Sequence, residues 1–364
     1  MTNLTVDLGP RSYPIQIGSG FTAAIGALAR TVAPQSELAL IVTDENVDPH
    51  AATLAESLVA AGFRTSTVIL QPGEATKSLT WANELYDELA ELNADRRTLV
   101  VALGGGVIGD LAGFAAATYN RGLPLFMVPT TLLSMVDSSV GGKVGINHDR
   151  GKNLIGAFHQ PAGVAIDLDY LKTLPDREFR SGLAEVVKYG VILDAEFFDY
   201  LERNSTAILA RDPAVLETIV TRSCTLKAQV VERDEREETG LRAMLNYGHT
   251  FAHAFEIIAG YGTWLHGEAV SAGMVCAAQL AQNSGRVPEG FAARQMNLLE
   301  RFGLPIHPLP QWDADEMIDA MRRDKKSQAG RLRLVLPTKL GHVELVDGVD
   351  ETEVRWVLGH GSVN

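Results

Sequence analysis

A fully apolar run, Leu99–Leu103, leads directly into Gly104-Gly-Gly-Val-Ile-Gly-Asp110 and then into a helical pattern that extends to about Tyr119. An apolar strand of this kind is typical of a parallel sheet covered on both faces. The glycines match the GxGxxG pattern, and they have the strand before them and the helix after them that the pattern requires. Backbone N–H groups at such a helix start can hold a pyrophosphate. The segment therefore predicts nucleotide binding by an α/β domain.

The segments around this motif alternate between strand and helix patterns. A hairpin is predicted at Leu4–Leu8 and Tyr13–Ile17, around Gly9-Pro10. Further strands are predicted at Leu38–Val42, Thr67–Leu70, Leu125–Val128 and Val164–Asp167, and helices at Ala51–Ala61 and Leu79–Leu92. This order predicts a doubly wound, Rossmann-like α/β domain.

Helical patterns dominate beyond about Pro175. They cover residues 176–192, 195–208, 213–233, 242–259, 266–284 and 289–302, and a small hairpin is predicted at Arg331–Leu336 and His342–Val346. We therefore predict two domains, an α/β domain at residues 1–175 and a mostly α-helical C-terminal domain at residues 176–364.

The composition excludes several classes of protein. A formal net charge of −13 argues against a general nucleic-acid surface, and it makes any cluster of Lys and Arg a candidate anion site. Cys224 and Cys276 are far apart in mostly apolar sequence, which suits a reducing compartment and indicates neither a disulfide framework nor a thiolate zinc site. The first residues lack a secretory signal pattern, and the most apolar window, 99–119, contains glycines and Asp110. We therefore expect a cytoplasmic protein with no membrane segment.

Polar residues in the predicted helix at 242–259 favour a metal site. His249 and His253 are four residues apart and would share one face with Asn246 and Arg242. His266 follows a glycine-containing break, so two helices meeting there would bring His249 and His266 onto one metal. Two His at this spacing more often form a solvated face, and the Glu of HExxH is absent, but the polar flanks favour the metal.

Glu185 and Lys188 share one face of an apolar helix pattern. The simpler interpretation is a structural ion pair. Alternatively, Glu185 joins His249 and His266, because two His and one carboxylate with an open fourth position form a catalytic zinc site.

Three further features point to ligands. The acidic residue that usually follows a dinucleotide motif is missing, because the next strand ends in Val128-Pro-Thr-Thr131; Asp44 is then the candidate ribose partner, or a plain turn former.

The segment Val136–Gly156 is predicted to be a long functional loop. Scattered cations indicate a substrate with more than one negative charge. They are Lys143, Lys152, Lys188, Lys227, Arg121, Arg242 and the pair Lys325-Lys326.

Taken in order along nearly the whole chain, these blocks resemble the 3-dehydroquinate synthases of the shikimate pathway. The resemblance is carried by Gly104–Asp110, Thr130-Thr131, Asp137–Lys143, Gly151–Asn153, Leu183–Lys188, and Leu245–His249 with His253. It implies zinc or cobalt ligands at Glu185, His249 and His266. It implies NAD contacts at Asp44, Glu74, Lys77, Gly105, Gly106, Val107, Gly109, Asp110, Thr130, Thr131, Lys143, Lys152 and Thr173. It implies a substrate pocket formed by Arg121, Asp137, Lys143, Lys152, Asn153, Lys188, Lys227, Arg242, Asn246 and His253, with one lysine of Lys325-Lys326 on the phosphate.

The resemblance also implies a homodimer and a reaction, the conversion of 3-deoxy-D-arabino-heptulosonate 7-phosphate to 3-dehydroquinate and phosphate. Transient oxidation by NAD would be followed by β-elimination of phosphate, re-reduction and intramolecular aldol closure. The first domain would bind NAD, the second would bind metal and substrate, and His253 is the candidate proton shuttle.

Three other interpretations stay open at the level of sequence. One is a sugar-phosphate cyclase whose substrate lacks a carboxylate, which would have little use for Arg242, Lys227 and Asn246 together. The second is a metal-dependent NAD alcohol dehydrogenase, resembling glycerol dehydrogenase, which would release NADH. The third is a non-enzymatic sensor that binds NAD and zinc.

Overall fold

The computed structural model describes residues 1–260, 262–323 and 332–359. The chain forms two compact units. The first comprises Met1–Pro175 and Leu216–Arg236; the second comprises Asp176–Val215 and the described chain from Glu237 onward. The chain thus enters the second unit at the predicted boundary, but it returns to the first for most of one helix, which a single boundary at 175 does not include. None of the described helices is long and apolar enough to cross a membrane.

The first unit is built on a seven-stranded sheet. Its strands are β1 (Thr2–Val6), β2 (Tyr13–Gly18), β3 (Leu38–Asp44), β4 (Arg64–Leu70), β5 (Leu99–Gly104), β6 (Leu125–Pro129) and β9 (Gly163–Asp167). Between β6 and β9 the chain forms a separate hairpin of β7 (Lys143–His148) and β8 (Gly151–Phe158). The order is β1-β2-β9-β6-β5-β3-β4, and every neighbouring pair is parallel except β1–β2. Strands β5, β6 and β9 are buried along their whole length, as their continuous apolar sequence predicts.

Helices cover this sheet and build most of the second unit. Those of the first unit are α1 (Ile25–Val32), α2 (Asp48–Ala60), α3 (Leu79–Glu91) and α4 (Gly106–Thr118). The second unit begins with α5 (Asp176–Leu193), α6 (Ala195–Arg203) and α7 (Ser205–Leu209). The next helix, α8 (Pro213–Arg233), lies mostly in the first unit. The second unit then continues with α9 (His249–Ala259), α10 (His266–Asn283), α11 (Phe291–Arg301), α12 (Ala314–Arg323), the hairpin of β10 (Arg333–Lys339) and β11 (His342–Asp347), and α13 (Glu351–Gly359). The predicted fold class is confirmed, although Asn204 interrupts the helix predicted at 195–208.

The strand order creates a switch point between β3 and β5. From β3 the chain moves outward to β4, and from β5 it moves the other way to β6. Ligands of open α/β sheets bind outside the carboxyl ends of the strands at such a point. The glycine motif Gly104–Asp110 leaves β5 at this place, so the topology supports the nucleotide site that the motif predicts.

The prediction of a long loop at Val136–Gly156 is wrong. After a short π-helical turn at Ser134–Ser138, the segment forms the antiparallel hairpin β7–β8. Its glycines serve close approach of the two strands: a Cβ on Gly145 would lie 2.7 Å from the carbonyl oxygen of Ile155. The sequence pattern predicts a loop here because a strand with glycine in place of large apolar residues loses its hydrophobic alternation.

The continuous helix predicted at 242–259 is also wrong. A 3-10 turn at Leu241–Asn246 is followed by Gly248, whose φ is 79°, and α9 begins only at His249. Arg242 and Asn246 therefore do not share a helical stripe with the histidines. Gly248 has a packing reason as well, since a Cβ there would lie 2.8 Å from the backbone nitrogen of Met274 on α10. This close approach packs the start of α9 against the middle of α10.

Candidate active site

Three side chains of the second unit converge where α5, α9 and α10 meet. Glu185, His249 and His266 each offer one ligand atom, and these atoms all lie within 4.8 Å of one another. The Nε2 atoms of His249 and His266 lie 3.5 Å and 3.8 Å from Oε1 of Glu185. The histidines occupy the first positions of their helices, while Glu185 lies in the buried middle of α5. The three predicted metal ligands are thus neighbours in space.

The carboxylate of Glu185 is completely buried. Within the described residues neither of its oxygens has a hydrogen bond of good geometry, although Lys188 Nζ forms an ion pair with Oε2. A buried carboxylate needs compensating positive charge, and the lysine addresses only one oxygen. The oxygen that faces the histidines therefore fits a cation held between the three side chains.

The orientation of the imidazole rings points the same way. Nδ1 of His249 lies 3.1 Å from the carbonyl oxygen of Tyr247, which only accepts, so Nδ1 carries the proton. In the neutral ring Nε2 then presents a lone pair to the Glu185 oxygen 3.5 Å away. Two acceptors facing each other are stable when a cation lies between them. His266 repeats the arrangement, with Nδ1 3.5 Å from Oε1 of the buried Glu256.

His253 lies one turn along α9 from His249. The two ring centroids are 5.9 Å apart, with the rings nearly perpendicular at 88°. His253 is outside the set of three converging ligand atoms. Arg242 is almost completely buried in the turn before α9, and Asn246 is half-buried at the end of that turn.

Apart from Lys143 and Lys152, which lie on the β7–β8 hairpin, the residues predicted to contact NAD follow the carboxyl ends of five neighbouring parallel strands. Asp44 ends β3, Glu74 and Lys77 follow β4, Gly105–Asp110 follow β5, Thr130 and Thr131 follow β6, and Thr173 follows β9. Because Val42 pairs with Ala102, the register places Asp44 alongside Gly104. An acidic residue thus lies beside the glycine turn on the adjacent strand, although none follows the motif at the usual distance along the sequence.

Several features of this edge fit a nucleotide. A Cβ added at Gly105 or Gly106 would lie 3.2 Å from the Thr131 side chain or 3.3 Å from the Ser138 side chain, so a side chain at either glycine would be tightly packed. The hydroxyl of Thr130 is buried, and no described residue hydrogen-bonds it. Burial raises the pKa of Asp44, which two backbone N–H groups partly oppose. A half-buried carboxylate and an unsatisfied hydroxyl are groups that a sugar hydroxyl can engage.

Lys77 and Asp110 form a buried ion pair across this edge. Their side chains are 6% and 18% exposed. Burial raises the pKa of Asp110, and the charge of Lys77 opposes that rise. The pair links the turn after β4 to the first helical turn after the glycine motif.

Asn147, a polar residue of the segment predicted to be a functional loop, connects the β7–β8 hairpin to the same turn. Its Nδ2 donates to Oε1 of Glu74 at 2.7 Å, and its backbone N–H donates to the Lys77 carbonyl at 2.9 Å. Its Oδ1 accepts from the backbone N–H of Asn153 at 2.9 Å. A polar residue in a segment that is predicted to be a loop carries no signal of which residues it contacts.

Asp137 and Lys227 meet within the first unit. Lys227, buried on α8, donates from Nζ to Oδ1 of Asp137 at 2.6 Å and to its carbonyl at 2.7 Å. The two residues are far apart in sequence, so only the return of α8 to the first unit brings them together.

Four other predicted residues of the first unit, Arg121, Lys143, Lys152 and Asn153, lie on other elements. Arg121 is exposed in the turn between α4 and β6, at the amino edge of the sheet, opposite the glycine motif. Lys143 begins β7 and pairs with Phe158, whereas Asn153 and Lys152 lie near the hairpin turn, about 16 Å and about 20 Å along the strand at ~3.3 Å per residue. Lys325 and Lys326 lie outside the described residues.

Comparison with known families and proteins agrees with this geometry. A sequence model of the 3-dehydroquinate synthase N-terminal region matches residues 67–181, and one of the C-terminal region matches residues 182–327. A 3-dehydroquinate synthase from Geobacter metallireducens is 51% identical over 99% of this chain and 100% of its own length. One from Desulforamulus reducens is 49% identical over 98% and 99%.

Solved structures of cyclases share the fold at lower identity. A 2-epi-5-epi-valiolone synthase from Streptomyces hygroscopicus subsp. jinggangensis 5008, solved with NAD+ and Zn2+, has a TM-score of 0.88 and 29% identity over 96% of both chains. A 2-deoxy-scyllo-inosose synthase complexed with carbaglucose-6-phosphate, NAD+ and Co2+ has a TM-score of 0.89 and 27% identity over 99% of this chain and 100% of its own. A probable glycerol dehydrogenase from Sinorhizobium meliloti 1021, at 14% identity over 95% and 96% of the two chains and a TM-score of 0.68, shares the fold alone.

Proposed function

Because the chain belongs to the 3-dehydroquinate synthase family, we propose that Glu185, His249 and His266 hold a catalytic divalent metal and that the carboxyl edge of the first-unit sheet holds NAD. The activity is that of a carbon–oxygen lyase, which converts 3-deoxy-D-arabino-heptulosonate 7-phosphate to 3-dehydroquinate and phosphate. The observation that carries the proposed site is the convergence of two histidines on the buried Glu185, within 4.8 Å.

When bound, NAD supplies a transient oxidation that is reversed before product release, and the metal polarises the reacting hydroxyl as a Lewis acid. Glu185 contributes the negative charge of the ligand set, and its burial keeps water from that side. Related cyclases are solved with Zn2+ and with Co2+, and a set of two imidazoles and one carboxylate suits either metal.

We assign proton transfer during ring opening and aldol closure to His253. Imidazole both donates and accepts protons near neutral pH. Its ring lies 5.9 Å from that of the proposed ligand His249, so it is close to the centre without belonging to the ligand set.

The proposed substrate carries a carboxylate and a phosphate. Arg242 and Asn246 are assigned to the carboxylate, because a guanidinium binds a carboxylate through two parallel hydrogen bonds. Lys188 is assigned to the substrate beside the metal, and its ion pair with Glu185 supports that position. Lys152, Asn153 and the Asp137–Lys227 pair are assigned to the phosphate and its neighbouring hydroxyls. The assignment of Arg121 and Lys143 to the substrate rests on the resemblance alone.

Paired substrates test the proposed function. Metal-loaded protein with NAD is offered the carboxylated heptulosonate phosphate and, separately, sedoheptulose 7-phosphate, which lacks the carboxylate. Phosphate release from the first alone is expected. Release from the second alone would assign the protein to the other cyclases. Glu185→Gln, which keeps the shape of the side chain, is expected to lose both the bound metal and phosphate release.

We also propose, from the resemblance, that the protein is a homodimer in the cytoplasm. Size-exclusion chromatography with light scattering tests the dimer: a mass near twice that of the 39.3 kDa chain is expected, and a monomer would contradict it.

A further inference from the structure

We propose that Glu256 is a positioning residue for the metal centre, which holds the imidazole of His266 so that its Nε2 atom faces the metal. This inference rests on the proposed metal site, and it extends that site beyond its three ligands to a fourth side chain on α9.

The first support is the burial of a charge in an apolar part of α9. Glu256 is 3% exposed, and Phe251, Ala252, Ala254 and Phe255 before it on the helix are buried and apolar, with His253 as the polar exception one turn away. A carboxylate in such a place is costly unless it has a polar partner. Its Oε1 lies 3.5 Å from Nδ1 of His266.

The second support is the position of His266 between two carboxylates. Nδ1 faces Glu256 at 3.5 Å, and Nε2 faces Oε1 of Glu185 at 3.8 Å. A neutral imidazole carries one proton, so a proton on Nδ1 directed toward Glu256 leaves the Nε2 lone pair for the metal. A carboxylate behind a ligand histidine fixes the tautomer and ring orientation and makes the ligand more basic.

The third support is a comparison of the two histidines. The Nδ1 atom of His249 is held by the backbone carbonyl of Tyr247 at 3.1 Å. The side chain of His266 is 32% exposed, whereas that of His249 is 12% exposed. Glu256 therefore orients the more exposed ring of His266, as the Tyr247 carbonyl orients the ring of His249.

The backbone around His266 has a separate anchor. Trp264, two residues before it, packs against Phe255 and Trp312, with ring centroids 6.3 Å and 5.0 Å away. Phe255 and Trp312 also contact each other, at 5.8 Å. Because this aromatic cluster holds the start of α10 against α9, loss of the Glu256 carboxylate is expected to free the ring without unfolding the helices.

The test is the zinc affinity of Glu256→Gln, measured by competition with a chromophoric chelator. Glu202→Gln is the matched control, because Glu202 is also a carboxylate of the second unit with a charged partner, Arg294, but has no contact with the metal cluster. Glu256→Gln is expected to bind zinc 10–100-fold more weakly, on the order found for such partners, while the control stays within about twofold of the natural protein. An affinity of Glu256→Gln within about twofold of the natural protein would overturn the inference. If the natural protein itself failed to bind zinc, the proposed metal site would fail, and this inference with it.

A second measurement uses the natural sequence and does not depend on the folding of any Glu256 variant. Nitrogen-15 spectra of histidine-labelled, zinc-loaded protein report the tautomer of each ring, and His266→Gln identifies the His266 signals. The expected state of His266 is protonated at Nδ1 and metal-bound at Nε2. A proton on Nε2 would overturn the inference.

Discussion

Lys188 forms an ion pair with Oε2 of Glu185, while Oε1 of the same carboxylate faces His249 and His266. The side chains of Lys188 and Glu185 are 2% and 0% exposed. The sequence offered an ion pair and a metal ligand as alternatives for this spacing. The ion pair is present, and it uses only the oxygen that points away from the histidines, so the two interpretations do not exclude each other.

Replacement of Lys188 is expected to destabilise the metal-free protein. In Lys188→Met the buried Glu185 carboxylate loses its cation, and breaking a buried pair on one side costs roughly 3–5 kcal/mol. The double variant Lys188→Met with Glu185→Gln removes the orphaned charge and should be more stable than the single lysine variant. Urea unfolding in the presence of a chelator measures both, and strictly additive effects of the two substitutions would contradict the coupling.

Replacement of Lys77 is expected to cost more stability at pH 7 than at pH 4. Burial raises the pKa of Asp110, and Lys77 opposes that rise. A raised carboxyl pKa means that stability falls as pH increases from the ordinary value, about 3.9, through the folded-state value. Lys77→Met raises this pKa further, so its deficit should be small near pH 4 and grow toward neutrality.

Urea unfolding of NAD-free protein at the two pH values checks this dependence. Adding Asp110→Asn to Lys77→Met removes the titrating carboxyl. The loss of stability caused by Lys77→Met should then be the same at pH 4 and pH 7. An equal deficit of Lys77→Met at both would show that the lysine acts by packing rather than by charge.

Asn147→Ala is expected to weaken NAD binding by about tenfold, since a hydrogen bond to a charged group contributes on the order of 1.5–3 kcal/mol. The variant releases the Glu74 carboxylate from the hairpin. Fluorescence titration with NADH provides the measurement. The control is Asn83→Ala, whose amide donates to Asp87 at 3.0 Å on the surface. Equal affinities of the two variants would remove Asn147 from the nucleotide site.

Both cysteines are expected to resist alkylation in the folded protein. Cys224 and Cys276 are buried, and burial raises the pKa of each thiol to about 12. Only the thiolate reacts, so at pH 8 the reactive fraction is on the order of one in ten thousand. Mass spectrometry after iodoacetamide treatment should show label only in denatured protein. Rapid labelling of native protein would contradict the buried placement.

Local patterns predicted the elements that carry the site. The apolar runs of β5 and β6 predicted a parallel sheet, and the spacing of His249, His253 and His266 placed them on two helices around a glycine break. These inferences succeeded because hydrophobic period and helix breakers act over a few residues.

Arrangements set by packing between distant segments were not predictable in this way. The break at Gly248 follows from close contact with Met274 on α10, and the Asp137–Lys227 pair depends on the return of α8 to the first unit. No local pattern encodes either contact. Glu256 did leave a signal, since it is the one acidic residue of α9 and follows His253 and His249 at spacings of three and seven residues, on the same helix face.

The role of Arg121 in the substrate pocket stays a prediction that rests on the resemblance. Within this chain, α4 leads from the glycine motif to the amino edge of the sheet before Arg121 is reached. A helix of 13 residues advances about 20 Å at ~1.5 Å per residue, so the glycine motif and Arg121 lie at opposite ends of it.

The most direct test of the account follows phosphate release and absorbance at 340 nm in one cuvette, with metal-loaded protein, NAD and 3-deoxy-D-arabino-heptulosonate 7-phosphate. Phosphate release without net NADH is predicted, because the oxidation is reversed within each turnover. Stoichiometric NADH would indicate a dehydrogenase, and the absence of phosphate from folded, metal-loaded protein would contradict the assigned reaction.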